Sequence, residues 1–202
     1  THQWKAAFVS VNESDQASEF WTFVSSGDTE SDRGSILVSG AYLELCIDRL
    51  ISAYLRKSKS SERLLRKDGP LGSYIARLDL CYCLGLIDEQ ELRSLRLFAR
   101  IRNKFAHSIF ISAESNEVND QALELAKQVG LESLETHTFE KLVAMGARHL
   151  LFVSAFIMAD RVRERDQLVD QMIDNLRLDF SSFHHELMEL VEEAERENET
   201  RL

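Results

Sequence analysis

The chain has 202 residues, 44% of them hydrophobic, which suits one domain, or one domain with a helical extension, around a sizeable core. A formal net charge of −10 argues against non-specific coating of nucleic acid, although it leaves room for a local basic groove. Three cysteines without paired spacing argue against a disulfide framework, and no stretch reaches the roughly 18 uninterrupted apolar residues of a membrane span. We therefore expect a soluble, cytoplasmic protein without cofactor, metal or membrane contact.

Turn-forming residues are scarce, with eight glycines and a single proline, Pro70. This scarcity predicts an all-α fold, which we expect to be a single bundle of about six to eight helices. Gly85 fits a C-terminal cap, and Asp88 with Glu91 resembles a capping box that starts the next helix. Apolar residues at helical spacing predict helices over residues 15–24, 29–57, 71–84, 88–106, 120–130 and 138–163.

The domain organisation follows from where this apolar pattern weakens. Residues 1–165 are expected to form the bundle, and residues 166–202 a C-terminal helical extension. The last stretch, ELVEEAERENETRL, is acidic and has few apolar positions, so we expect its end to fray.

The stretch RIRNKFAH, residues 100–107, carries the side chains best suited to chemistry. His107 can exchange protons near neutral pH, and Arg102 can hold a phosphate and offset negative charge. Asn103 lies four residues before His107 and could orient its imidazole. Arg102 and His107 are five residues apart, about 140° around an ideal helix. They converge only if the helix ends near Ala106, or if two chains pool their motifs across a dimer.

The R-N-x-x-x-H arrangement of Arg102, Asn103 and His107, late in a helix of an all-α domain, resembles the HEPN superfamily. The resemblance implies a HEPN-like bundle and a metal-independent endoribonuclease of the toxin or defence type that acts as a homodimer. It further implies that His107 serves as general base or acid, that Arg102 stabilises the phosphate, and that the RNA 2′-hydroxyl is the nucleophile. An antitoxin would then be the protein partner.

A longer stretch, GPLGSYIARLDLCYCLGLIDEQELRSLRLFARIRNKFAH, is similar to the mannitol operon repressor family. The matching positions are Gly69, Pro70, Leu71, Gly72, Arg77, Leu78, Tyr82, Leu84, Gly85, Ile87, Arg102 and His107. This resemblance implies transcriptional regulation, yet the sequence has no helix-turn-helix signature and the chain is acidic. A regulator of this kind would act through a protein partner, and we expect no sequence-specific DNA binding.

Basic residues on the same helix extend the hypothesis of an RNA-binding site. Arg93, Arg96 and Arg100 recur at helical spacing and form one stripe. Together with Lys104 they could form a positive cleft for a phosphate backbone. The alternative is a solvated face that pairs with some of the 34 acidic residues.

Structural alternatives stand beside the catalytic hypothesis. A cationic His107 at a helix end can stabilise the helix dipole by about 0.3–1 kcal/mol. Glu44, in the middle of a predicted helix, could orient Arg102, pair with it structurally, or be a surface carboxylate. The sequence therefore leaves two functions open, an endoribonuclease and a catalytically silent regulator that binds a protein.

Overall fold

A computed structural model describes residues 30–134 and 136–199, with side chains for all of these except 136, 174–187 and 189–199. The helices are α1 (Asp32–Tyr54), α2 (Lys59–Leu65), α3 (Tyr74–Cys83), α4 (Glu89–His107), α5 (Asn116–Gln128), a 3-10 turn (Leu131–Ser133), α6 (Thr136–Ala144) and α7 (Ala147–Glu199). These residues contain no β-strand, so the predicted all-α bundle is confirmed. The helix predicted over residues 15–24 lies outside the described residues.

The core forms where α1 packs along the first part of α7. Leu43, Ile47 and Ile51 of α1 are buried at the helical spacing that predicted this element. Ala155 and Ala159 of α7 are fully buried, and their small side chains allow the two helices to approach closely. Each buried leucine or isoleucine contributes about 1.5–3 kcal/mol through removal of apolar surface from water.

The predicted helix boundaries around residue 88 are confirmed. Gly85 has a φ of 70°, the left-handed conformation that favours glycine after a helix end. Asp88 accepts a hydrogen bond from the backbone N–H of Glu91, and the Glu91 carboxylate accepts one from the backbone N–H of Asp88. This reciprocal pair fixes the start of α4, the helix that carries the RNKFAH segment.

One predicted helix is wrong in its continuity. The apolar pattern predicts a single helix over residues 138–163, but Gly146 adopts a φ of 88° and separates α6 from α7. A left-handed residue ends the α-helical hydrogen-bond ladder, and the new direction starts α7 at Ala147. The helix α7 runs without interruption through residue 166, the predicted start of the extension, and on to Glu199.

Arg77 holds the Gly-Pro turn that precedes α3. Its Nε donates a hydrogen bond to the Leu71 carbonyl at 2.7 Å, and Nη2 donates to the Leu65 carbonyl at 2.8 Å. Its third contact is an ion pair with Asp48 on α1. One guanidinium therefore ties the turn to the core helix, which gives Arg77 a structural role.

Two of the three thiols are buried, and one is not. Burial raises the pKa of Cys46 and of Cys81 to about 12, so both remain neutral at physiological pH. Cys83 is exposed. The described residues contain no cluster of metal-ligating side chains. Among them, no helix is both long enough and apolar enough to cross a membrane.

Candidate functional site

The outward face of α4 carries a row of polar and basic side chains that we name the basic stripe. Its members follow one another at intervals of three, four, three and four residues, and all are exposed: Arg93, Arg96, Arg100, Asn103 and His107. The opposite face of α4 is buried in the core through Leu95, Phe98, Ile101 and Phe105. The amphipathic pattern of this helix therefore positions the stripe toward solvent.

The sequence places four cations on α4 as RNA-binding candidates, and three of them share the stripe. Lys104 does not, because it faces α5, where it forms an ion pair with Glu117 and lies 3.4 Å from Gln121 Oε1. This contact with a neighbouring helix holds Lys104 away from the line of arginines. The prediction that all four cations line one cleft is therefore not met within a single chain.

The stripe is only partly neutralised by neighbouring acids. Arg93 pairs with Glu89 one turn earlier on α4, and Arg96 pairs with Asp79 on α3. Both are surface pairs, each worth about 0–1 kcal/mol. Within the described part of the chain, Arg100 and His107 have no ion-pair partner. The end of the stripe toward His107 therefore presents free cationic and imidazole groups on an otherwise acidic chain.

Arg102 lies between the stripe and α1. It forms an ion pair with Glu44 on α1, and its Nη1 donates a hydrogen bond to Asn103 Oδ1 at 2.9 Å. Gly40 permits this approach, because a Cβ built there would lie 2.8 Å from Arg102 Cγ. Arg102 is thus held against a neighbouring helix by a charge, an amide and a glycine. A guanidinium engaged in this way has less freedom to grip a phosphate.

Among the described residues, no hydrogen bond or ion pair joins His107 to Arg102 within one chain. The helix α4 ends at His107, one residue after Ala106, and the two residues are about 140° apart around an ideal helix. Asn103 uses its oxygen to accept from Arg102, and no hydrogen bond joins it to His107 in the described residues. The pooling of two motifs across a dimer stays a prediction, as do the catalytic roles of these three residues.

Arg33, on α1, caps the C-terminal end of α4, and the sequence does not predict this contact. Its guanidinium donates to the carbonyls of Phe105, Ser108 and Ile109, at 2.6 Å for Ser108 and 3.3 Å for Ile109. These carbonyls lie at the helix C-terminus, where intrahelical partners are lacking. No local signal could have identified this cap, because more than 70 residues separate Arg33 from the carbonyls that it binds.

Immediately after this cap lies an exposed apolar pair that we name the Ile109–Phe110 loop. The exposed fraction of Ile109 is 83% and that of Phe110 is 95%. The loop begins two residues after the last member of the basic stripe. Large apolar side chains this exposed and adjacent are typical of surfaces that bind another molecule. The sequence does not reveal the exposure of this pair, since apolar residues by themselves predict core.

A family model described as MtlR: Mannitol repressor matches residues 27–145, more than half of the chain and all of α1–α6. The X-ray structure of the MtlR-HPr complex from Escherichia coli contains a chain with a similar fold, at a TM-score of 0.52 and 22% sequence identity. The similarity covers 65% of this chain and 89% of that chain. No curated protein matches the sequence. The resemblance to mannitol operon repressors is thereby confirmed, whereas none of these findings supports HEPN nuclease activity: this chain belongs to the mannitol repressor family.

Proposed function

We propose that this chain is a regulator of the mannitol repressor type that acts by binding a protein partner, namely HPr. The proposed contact surface is the Ile109–Phe110 loop together with Arg100 and His107 at the adjoining end of the basic stripe. The observation that carries the proposal is family membership combined with a similar fold in a complex with HPr. That partner is named for the Escherichia coli protein, and we extend it to this chain.

The chemistry of the surface supports a protein ligand. An aromatic side chain that is almost fully exposed contributes large apolar area when a partner's pocket covers it, and such residues dominate binding energy at interfaces. Phe110 and Ile109 supply that area. Arg100 and His107 lie close by on α4 without ion-pair partners in the described residues, so they are free to meet carboxylates at the rim of a partner's pocket.

The position of the loop also favours a docking role. The three hydrogen bonds from Arg33 fix the backbone immediately before and within it. A fixed backbone reduces the entropy that is lost when the apolar pair enters a pocket. The surface is therefore prepared for binding without a large rearrangement of the chain.

The nuclease hypothesis has no comparable support. A metal-independent phosphodiester cleavage would require His107 and Arg102 to meet at one phosphate. In this chain Arg102 is paired with Glu44 on α1, and its position is about 140° from that of His107 around an ideal helix. The matched family is described as a repressor, and no catalytic contact joins the two side chains. We therefore prefer the regulator, and cleavage of RNA becomes an outcome of the test.

The proposal is tested by calorimetric titration of the full-length chain with HPr encoded by the same genome. We expect a saturable heat with a defined stoichiometry. Phe110→Ala should weaken the affinity by at least about tenfold, the effect of removing an interface anchor worth more than about 1.4 kcal/mol. The matched control is Met145→Ala, which truncates another exposed apolar residue, 54% exposed and outside the proposed surface. This control should bind like the wild type.

Two results would count against the proposal. An absence of heat with pure, folded protein would contradict partner binding, whereas equal weakening by both variants would contradict the proposed surface. Incubation of the chain with RNA in EDTA provides the second arm. We expect no cleavage, and cleavage that is lost in His107→Ala and in Arg102→Ala would favour the nuclease instead.

A further inference from the structure

The C-terminal part of α7 carries a continuous heptad pattern. Apolar residues recur at alternating intervals of four and three residues over residues 169–194, and no member of the series is polar: Val169, Ile173, Leu176, Phe180, Phe183, Leu187, Leu190 and Ala194. Alternation of this kind over nearly four heptads is the sequence signature of a coiled coil. Leu190 and Ala194 of the acidic C-terminal stretch belong to this register, whereas Val191 and Leu202 do not.

The same register is already used in the core of the bundle. Counting backward from Val169 in steps of three and four gives Asp166, Val162, Ala159 and Ala155, which are all buried. The stripe that seals α7 against the bundle therefore continues along the same side of the helix into the extension. Because the bundle buries the first half of this apolar stripe, we expect the second half to be covered by a partner.

Among the described side chains of α7, full burial ends before residue 167. Asp166 is the last of these side chains that is buried; Val169 still packs partly against the core, Ile173 is half-buried, and Leu168 and Met172 are 60% and 62% exposed. Residues 167–199 extend about 50 Å at a rise of 1.5 Å per residue. A helix of that length with an apolar stripe is stabilised mainly by tertiary or quaternary packing, not by intrinsic propensity.

We propose that residues 169–194 form a parallel, two-stranded coiled coil with a second copy of this chain. The family model ends at residue 145, so this device lies outside the matched region. We favour a second copy as the partner, because the apolar stripe of an identical helix matches this one in length and in the register of its apolar residues. This dimer is joined through α7, which differs from a dimer that shares a catalytic cleft lined by Arg102 and His107.

The flanking charges favour the parallel arrangement. In a parallel pair, position g of one chain faces position e of the other in the next heptad, which places Asp179 beside His184. In the antiparallel pair that matches Ile173 with Leu190, Asp179 would instead face Glu186 twice. Like charges at these positions are destabilising, whereas an acid beside a histidine is favourable when the ring is protonated.

The test is the molar mass of the full-length chain by sedimentation equilibrium, with a matched pair of variants. The wild type is expected at twice the 23.2 kDa of one chain. Leu187→Glu places a charge in the seam and should raise the dimer dissociation constant by at least about 100-fold. Met188→Glu places the same charge on the next residue, which lies off the seam and is 45% exposed, and it should leave the dimer intact.

Each other result overturns the proposal. A wild-type chain that is monomeric contradicts the dimer, and one that is trimeric contradicts the two-stranded form. A dimer that survives Leu187→Glu would show that the interface lies on another surface. Equal dissociation by both variants contradicts the register. Orientation is read independently from Leu187→Cys in a Cys83→Ser background, where oxidation should link the two chains. Failure of this link to form excludes the parallel arrangement, because only that arrangement brings the two substituted positions together.

Discussion

Arg102 gains its position from residues on two helices. Gly40 makes room for its side chain, Glu44 neutralises its charge, and Asn103 accepts one of its N–H groups. The sequence identifies Arg102, Asn103 and Glu44 as candidates because of their residue types. It could not reveal that Gly40 lies under the guanidinium stem, since a glycine in an apolar helix gives no signal of what packs against it.

This packing predicts that Gly40→Ala changes the free energy of unfolding in opposite directions in the wild type and in the Arg102→Ala variant. Alanine normally stabilises a helix by about 1 kcal/mol relative to glycine. In the wild type, Gly40→Ala should instead destabilise the fold by about 1–2 kcal/mol, because the new Cβ would press on Arg102 Cγ. With Arg102→Ala already in place, the same change should be stabilising. Urea unfolding of the four proteins measures both effects, and equal signs in the two backgrounds would refute the contact.

A second residue-scale prediction concerns pH. Burial raises the pKa of Asp166, the negative charge of Asp170 adds to this rise, and the positive charge of Arg49 opposes it. A carboxyl group whose pKa is raised on folding lowers stability when ionised, and this cost disappears as the pH falls below its unfolded-state pKa. Asp166→Asn should therefore stabilise the protein more near neutral pH than near about pH 4.

The check is the free energy of unfolding of both proteins across this range, from urea titrations. Gln167→Asn, at an exposed position next to Asp166 that carries no titratable group, serves as the control and should show a difference from the wild type that does not vary with pH. A flat difference for Asp166→Asn as well would argue that its carboxyl is not perturbed by burial.

At the scale of helices, much of the architecture follows from local signals. The cap at Gly85 and the reciprocal pair of Asp88 and Glu91 are predicted because both depend on residues a few positions apart. The break at Gly146 was missed, because an isolated glycine in an apolar run is equally compatible with a continuous helix. Long-range caps such as Arg33 are invisible to any local pattern.

The Arg33 cap predicts that Arg33→Ala destabilises the fold by more than the partial exposure of this side chain would suggest. Arg33→Ala removes the donors that satisfy carbonyls at the end of α4 and should cost about 1.5–3 kcal/mol, the range for hydrogen bonds to charged groups. Arg100→Ala, at an exposed position on the same helix, should change stability by less than about 0.5 kcal/mol. Thermal and urea unfolding compare the two variants. A small effect of Arg33→Ala, similar to that of Arg100→Ala, would show that the cap does not contribute to stability.

The turn between α6 and α7 predicts a specific order among substitutions at Gly146. A Cβ there would meet no atom within 4 Å, so the only cost of Gly146→Ala is the left-handed backbone, about 1–2 kcal/mol. Gly146→Asn should cost less, because asparagine tolerates this conformation better. Unfolding midpoints in urea rank the variants, and an alanine variant as stable as the wild type would mean that the helix can pass through this position.

At the scale of the whole molecule, a repressor-family bundle presents a polar stripe and an apolar loop at one helix end. The fold class was predictable because helical periodicity survives in a single sequence. The function was not, because R-N-x-x-x-H is compatible with both catalysis and structure until the neighbours of each side chain are known. Glu44 and Gly40 engage Arg102, while the Ile109–Phe110 loop remains exposed.

The central claim is that the chain recognises HPr through the end of α4. The most direct measurement is the nitrogen–proton correlation spectrum of isotope-labelled HPr during addition of the unlabelled chain. We predict that signals from one contiguous surface of HPr shift or broaden in proportion to the added chain, and that the Phe110→Ala variant produces much smaller changes at the same concentration. A spectrum that does not change, with both proteins folded, would contradict the account.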